Sequence, residues 1–472
     1  MKVYLLNPPA SNGVKMVREG RCMQRKGAWA TVWPPLTLTT MAAMLLEEGI
    51  KIKLDDCIVD NITFEQLKLN IEKFDPDLLV INTATASICS DLLCAKIAKE
   101  VSPKIKTLAF GLHVTALAQE SLKSEPALDF IIRGEPEFCL LEFTRKLRSN
   151  DPQLDTVKGL SYRCQLDIKH NPDRGFDDNL DLLPFPAWEL INTNNYLLPL
   201  SGEPFLLIMT AKGCPHACLF CPAKPFYGSH VRQRNPKIVV DEMEHIKRKF
   251  KVNQFLIWSE SFTEHRDYTV ELCNEIIVRK LNVSWVCNSR VDKVDLELLR
   301  LMKRAGCWMI GYGIESGNQS ILSASGKGTT VEQIEGAISL AKLAGLEVTG
   351  HVIFGLPGET MESGLKTVGW LKKLKLDFIQ VYCAVPWPST PLYKIAREKG
   401  WLKSQKWELY EQNNCIMDMG TITPKQVEHL RKLAMLKFYL SFKRSWKILS
   451  KINSLKKARI FFDMFREFTS WI

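Results

Sequence analysis

Met209-Thr-Ala-Lys-Gly-Cys-Pro-His-Ala-Cys-Leu-Phe-Cys-Pro222 is the stretch around which the chain is read. Cys214, Cys218 and Cys221 stand there as C-x3-C-x2-C, directly after the apolar run Phe205 to Met209. Three thiolates at that spacing suit three irons of a 4Fe–4S cluster, whose usual ligands are cysteine thiolates. The fourth iron is then left without a protein ligand, and an open coordination position suits chemistry better than storage. The spacing departs from four-cysteine ferredoxin runs and from the paired C-x2-C of structural zinc. A zinc knuckle, or three unconnected buried thiols, is the alternative reading.

Outward from this loop, 472 residues are enough for two or three domains. No run of about 18 apolar residues occurs, so no membrane-spanning helix is expected. The N-terminal apolar run ends at Asn7-Pro8-Pro9, too soon for a signal sequence, and reads as a strand entering a loop. Fourteen cysteines in such a chain argue against a disulfide framework and for a reducing, cytoplasmic setting. Those outside the motif, among them Cys89, Cys94, Cys273 and Cys383, read mostly as small buried hydrophobes. The net charge of +11 is unevenly placed. Residues 424–472 hold twelve Lys or Arg against three Asp or Glu, so the rest of the chain is close to neutral. A uniformly basic nucleic-acid binder is not indicated.

Residues 1–150 alternate between strand-like and helix-like patterns. Strands are expected at 3–6, 50–54, 78–82, 107–110 and 130–132, with helices at 38–48, 63–73, 91–100 and 137–147. Such alternation predicts a doubly wound parallel sheet, with ligands at the carboxyl ends of its strands. The loops there are Asn7-Pro-Pro, Thr83-Ala-Thr-Ala-Ser87, Gly111-Leu-His-Val-Thr115 and Arg133-Gly-Glu-Pro-Glu137. No G-x-G-x-x-G follows the first strand, so a dinucleotide site is not supported. Residues 151–204 read as a turn-rich linker, with a small hairpin region near 151–162. From Phe205 the alternation resumes, with strands near 205–211, 254–258, 283–288, 308–314, 347–354 and 378–384. Helices are expected at 236–250, 266–280, 295–305, 330–344, 360–375 and 390–399.

With Phe220 before its last cysteine, the motif resembles the radical S-adenosylmethionine (SAM) superfamily. That resemblance implies a six-fold β/α partial TIM barrel over 205–415, with the chemistry at its strand ends. It implies SAM held on the open iron and cleaved reductively to a 5′-deoxyadenosyl radical. Glu260, in Trp258-Ser-Glu-Ser-Phe-Thr263, is the implied contact to the SAM amino group, with a solvated loop acid as the alternative. Arg290 is the implied fork to its carboxylate, with a structural ion pair as the alternative. Gly313 and Glu315, in Gly311-Tyr-Gly-Ile-Glu-Ser-Gly317, are implied at the ribose. Gly355 and Gly358, in Gly350-His-Val-Ile-Phe-Gly-Leu-Pro-Gly-Glu359, are implied along the adenine, with Glu359 capping the next helix. Ala384-Val-Pro-Trp-Pro-Ser-Thr-Pro-Leu-Tyr393 resembles a further family segment. Tyr382 and Cys383 face either substrate or core.

The N-terminal loops resemble, in order and spacing, the cobalamin-binding domain that precedes the barrel in one subgroup of this family. The matched features are Asn7-Pro-Pro, Pro34-Pro-Leu36, Gly111-x-His113-x-Thr115 and Arg133-Gly-Glu-x-Glu137; Leu183-Pro-Phe-Pro186 and Tyr196 match the approach to the barrel. Asn7, Thr83, Thr85, Ser87, Gly111, His113, Gly134 and Glu135 are the implied cobalamin contacts. There is no Asp-x-His-x-x-Gly, so a lower axial histidine is not expected, and His113 reads rather as a hydrogen-bonded loop histidine.

From 416 a basic, aromatic helical extension follows, expected as helices at 426–440 and 446–468. It suits either an amphipathic surface on an anionic membrane or a helical cap on the barrel. The layout is similar to hopanoid C-methylases and to the anaerobic magnesium-protoporphyrin cyclase. It implies a methyltransferase acting on a hydrophobic small molecule or lipid, using two SAM molecules, with flavodoxin or ferredoxin as electron donor. A radical oxidative cyclase or rearrangement enzyme is the second expectation. An iron–sulfur electron-transfer protein without SAM turnover is the third. A cytoplasmic location, peripheral on the inner face of the membrane through 424–472, is expected, and no nucleic-acid partner.

Overall fold

Near-continuous apolar runs such as Leu78–Asn82 and Phe205–Met209 become strands buried on both faces, as parallel sheets covered by helices require. The computed structural model describes residues 1–441, apart from 12, 20–23, 26–31, 150–152, 166 and 200, together with Phe462. The first sheet has the order Lys51–Asp56, Lys2–Asn7, Leu78–Asn82, Lys106–Phe110 and Phe130–Ile132, all parallel. Two antiparallel strands, Leu160–Cys164 and Asp167–His170, complete it. The hairpin thus falls later than 151–162, and it extends the sheet to His170. Helix Leu36–Glu47 packs on Glu137–Arg148 on one face, and Phe64–Phe74 on Ile88–Val101 on the other.

The second sheet has six parallel strands in chain order: Phe205–Met209, Gln254–Trp258, Ser284–Ser289, Cys307–Glu315, Glu347–Phe354 and Phe378–Cys383. The intervening helices run back outside it, as a β/α partial barrel requires. Several begin at caps written in the sequence. Thr330 and Thr360 accept the backbone N–H groups of Gln333 and Ser363, and Pro236 and Pro391 fill first-turn positions.

Helix Pro424–Tyr439 packs on helix Met361–Lys373 and on the sixth strand. The Tyr439 hydroxyl accepts the Ile379 N–H at 3.0 Å and donates to its carbonyl at 2.8 Å. Residues 424–439 are therefore a helical cap. The helix expected over 446–468 lies outside the described residues, Phe462 excepted. Among the described residues all thirteen cysteines are free thiols. No helix there is long and apolar enough to cross a membrane.

Candidate active site

The cysteine loop leaves the carboxyl end of the first barrel strand and is pinned on three sides. Cys214 N–H donates to the Gly228 carbonyl at 3.0 Å, and Leu219 N–H to the Ser325 carbonyl at 2.9 Å. The Leu219 carbonyl accepts Leu392 N–H at 3.0 Å. Gly213, at φ +101°, presses on the chain at His230, where a Cβ would stand 1.9 Å from the carbonyl oxygen. Only glycine fits there. Cys214, Cys218 and Cys221 are half-buried and line a cavity of about 760 Å3 inside the barrel. Burial pushes the Cys218 thiol up to about 11, against the pull of Lys327. Among the described residues no three His, Cys, Asp or Glu groups converge as a single metal ion requires. Three thiols along one loop facing a cavity fit a polynuclear cluster, in which each thiolate takes its own iron.

Glu260, Arg290, Gly313, Glu315 and Phe220 line the same cavity. Glu260 is buried on the second-strand loop. Ser261 and Ser289, on the same wall, have buried hydroxyls with no partner, which leaves hydrogen-bonding capacity for a polar ligand. The Arg290 fork is engaged by Asp292, at 2.9 Å from Nε and 3.0 Å from Nη2, so the ion pair is the contact formed. Glu315 sits at φ +50°, a left-handed conformation uncommon outside glycine. Its Oε1 accepts from Lys327 Nζ at 2.8 Å. A Cβ on Gly313 would lie 2.6 Å from both groups, so glycine lets the pair sit in this place without shifting. Gly355 and Gly358 form a left-handed turn, at φ +86° and +85°, and are not on the cavity wall. Glu359 does not cap the following helix; Thr360 does. The Glu359 carboxylate instead turns back to accept the Gly355 N–H, and burial pushes its carboxyl up to about 7.

Lys327, His216 and His351 were not singled out from sequence, whereas Tyr382 was. Lys327 is bracketed by Gly326 and Gly328, both at φ +69°, and the Ser-Gly-Lys-Gly run was its signal. His216 stands inside the cysteine motif itself. It meets Glu264 at 2.9 Å, and Glu264 in turn meets Lys293 at 3.0 Å. His351 and Tyr382 stack in parallel mid-barrel, their ring centroids 6.1 Å apart. The period-two alternation Glu347, Thr349, His351, Ile353 places His351 on the inner face. Cys383 lines the cavity too, but its side chain is buried.

At the carboxyl ends of the first sheet, the residues expected to meet cobalamin close on one another. Asn7 donates to Asp56 at 2.8 Å, and Thr83 to the Phe110 carbonyl at 2.8 Å. Thr85 and Ser87 form a 3-10 turn, with Ser87 donating to Asp91 at 2.8 Å. A Cβ on Gly111 would stand 2.4 Å from the Thr83 carbonyl oxygen. His113 lies in the short helix Leu112–Ala116 rather than in a loop. It is buried edge-on against Trp407 at 4.7 Å, its Nδ1 lacks a partner, and burial lowers its pKa to about 4. Gly134 N–H donates to Thr115 at 3.1 Å. Glu135 accepts from Arg232 at 3.0 Å, a bond between the domains rather than an open contact. Arg18 and Asp91 add a buried ion pair at 2.7 Å. Among the described residues the space left beside Thr83, Gly111 and Glu137 is about 30 Å3, room for one water.

Residues 208–371 match the Radical SAM superfamily, and residues 27–142 match the B12 binding domain. The chain is 30% identical over 440 residues to an uncharacterized methyltransferase of Pyrococcus horikoshii, covering 93% of each chain. It is 29% identical over 421 residues to an anaerobic magnesium-protoporphyrin IX monomethyl ester cyclase of Rubrivivax gelatinosus, covering 87% of this chain and 75% of that one. The cobalamin-dependent SAM radical enzyme OxsB, solved with aqua-cobalamin and SAM bound, superposes with a TM-score of 0.72 at 16% identity. That match covers 98% of this chain and 70% of OxsB. The methyltransferase TsrM from Kitasatospora setae, solved with cobalamin and a 4Fe–4S cluster, gives 0.68 at 17% identity, covering 85% and 76%.

Proposed function

This chain belongs to the radical SAM superfamily, in the group of cobalamin-dependent methyltransferases and cyclases, and from that premise we propose that it methylates an unactivated carbon of a hydrophobic small molecule or lipid. The observation that carries this reading is the hollow barrel. Beyond the three cysteines, Leu256, Val286, Met309 and Phe378 line the cavity, with Asn288, Glu347, His351 and Gln380 among them. Large apolar side chains facing an internal space offer their surface to an apolar ligand. A bound cluster carrying SAM would supply, with a one-electron donor such as flavodoxin or ferredoxin, a radical able to take hydrogen from such a carbon. Cys214, Cys218 and Cys221 hold that cluster. Glu260, Ser261, Ser289 and the Lys327–Glu315 pair offer the polar contacts for the SAM amino acid and ribose. Gly313 keeps the wall thin where they meet.

Oxidative cyclisation is the second reading, favoured by the likeness to the cyclase across 87% of this chain. Anaerobic reconstitution with iron, sulfide and hydroxocobalamin, then SAM and reductant, tests both. 5′-Deoxyadenosine is expected. S-adenosylhomocysteine appearing with it, dependent on cobalamin, identifies methyl transfer. A fully assembled cluster that yields no 5′-deoxyadenosine overturns both readings.

A further inference from the structure

The barrel is hollow from end to end. Its cavity begins at the cysteine loop and reaches Phe205, Gln254, Ser284, Glu347 and Phe378, the first residues of five of the six strands. Closed barrels of this kind fill their interior with side chains. Here the inner positions 311 and 313 of the fourth strand are glycine. Glu203, exposed to solvent, lies on the wall at this lower end, so the cavity meets the surface there.

The same foot collects positive charge. The barrel helices run back toward it and deliver Arg248, Lys280, Lys303, Arg304, Lys372 and Lys373 beside the starts of the next strands, all exposed. A helix dipole favours cations at a carboxyl end, which accounts for the charge. It does not account for the three large aliphatics at the same ends. Val278, Leu343 and Leu440 are 76%, 69% and 69% exposed. Leu440 follows the helix whose Tyr439 hydroxyl is bonded at Ile379, so the described chain leaves the barrel at its foot. Residues 442–472, outside the described part except for Phe462, carry eight Lys or Arg against two Asp or Glu, interleaved with Phe and Trp. The N-terminal domain occupies the opposite end, through Lys212–Glu137 and Arg232–Glu135.

We propose that the barrel foot docks on an anionic lipid bilayer, with the cavity mouth facing the membrane, so that a membrane-resident substrate passes its apolar part up the barrel toward the cysteine loop. This rests on the lipid reading above. Cations and protruding aliphatics gathered at one end of the barrel are what an anionic interface attracts, and they outnumber the carboxylates of Glu203 and Glu347 at the mouth. A nucleic acid would answer the charge but leave the aliphatics and the apolar cavity unused.

The test uses the full-length, cluster-containing protein and sedimentation with vesicles of phosphatidylcholine, alone or with about one third phosphatidylglycerol. Binding to the anionic vesicles is expected. Each cation near such a surface contributes about fivefold. Reversing Lys303, Arg304, Lys372 and Lys373 to Glu therefore lowers partitioning at least about a hundredfold. Val278→Ser with Leu343→Ser and Leu440→Ser weakens it without changing the charge. Unaltered circular dichroism and melting temperature report that each variant folds. As an independent reading, a photoreactive benzoylphenylalanine at Leu343 captures lipid, and one at Leu365, at the other end of the barrel, does not. Vesicle binding unchanged in both foot variants overturns the proposal. So does equal lipid capture at the two positions, or binding to heparin with none to anionic vesicles. None of these readings needs turnover. Loss of 5′-deoxyadenosine formation in the parent would overturn the proposed function and leave the docking result standing.

Discussion

Lys212→Met cuts the bond that ties the barrel to the N-terminal sheet. Lys212 Nζ lies 2.6 Å from Glu137 and 3.8 Å from Glu135, with its side chain and that of Glu137 each 6% exposed. Burial alone would lower the Lys212 pKa, but the two carboxylates outweigh it and hold the ammonium above its ordinary value. Removing the lysine leaves Glu137 buried without its cation, while Glu135 keeps Arg232. Breaking one side of a buried pair in this way costs about 3–5 kcal/mol. With a urea slope of about 3 kcal/mol/M, the midpoint falls by about 1–1.7 M. Equilibrium urea unfolding, followed by tryptophan emission and by circular dichroism, measures it. Adding Glu137→Gln removes the stranded charge and is expected to recover a large part of the loss. A single variant within about 0.5 kcal/mol of the parent would refute the reasoning, because a pair this buried cannot be deleted for the cost of a surface one. A double variant as unstable as the single would show that lost packing, not stranded charge, sets the effect.

Three further outcomes are expected. Cys214→Ala, Cys218→Ala and Cys221→Ala each abolish the iron–sulfur absorbance after reconstitution; a normal cluster signal in any one contradicts the ligand assignment. Burial raises the Glu359 carboxyl to about 7, above its unfolded value, so the folded state holds a proton that the unfolded state has lost. Its stabilising contribution is complete below the unfolded pKa and declines as pH rises through about 7, by up to about 3 kcal/mol. Glu359→Gln should flatten that part of the stability profile between pH 5 and 8, and an unchanged slope argues against a proton held there. Trp407→Ala removes the ring lying against His113. It should speed hydroxocobalamin uptake, read by visible absorbance after gel filtration, and an unchanged rate would mean that the interface opens elsewhere.

Much of this architecture was legible before any coordinate. Apolar runs of five or six residues set between helical patterns could only be buried parallel strands, because each had to satisfy its backbone in a sheet while burying both faces. The first residues of helices were legible for a local reason as well: a Thr three residues before a Gln or Ser, or a Pro in the first turn, caps a helix through its own neighbours. Where the reading missed, the missing partner was distant in sequence. The hairpin Leu160–Cys164 with Asp167–His170 looked like part of a linker because its pairing strand, Phe130–Ile132, lies some thirty residues earlier. For Arg290 the sequence left a ligand fork and a structural ion pair both open, and the turn that folds Asp292 onto it, which composition does not specify, formed the ion pair.

The sequence by itself determined the cysteine loop, the order of strands and helices and the glycines beside Glu315, because each depends on spacing within one element or one turn. Only the tertiary structure decided which groups meet. It set Lys212 on Glu137, Arg18 on Asp91 and His113 on Trp407, pairs 75, 73 and 294 residues apart. It also left the barrel hollow to its foot and gathered there the charged and aliphatic ends of separate helices. These arrangements depend on how layers pack and on which buried charges find partners, energies that exist only once distant segments are brought together.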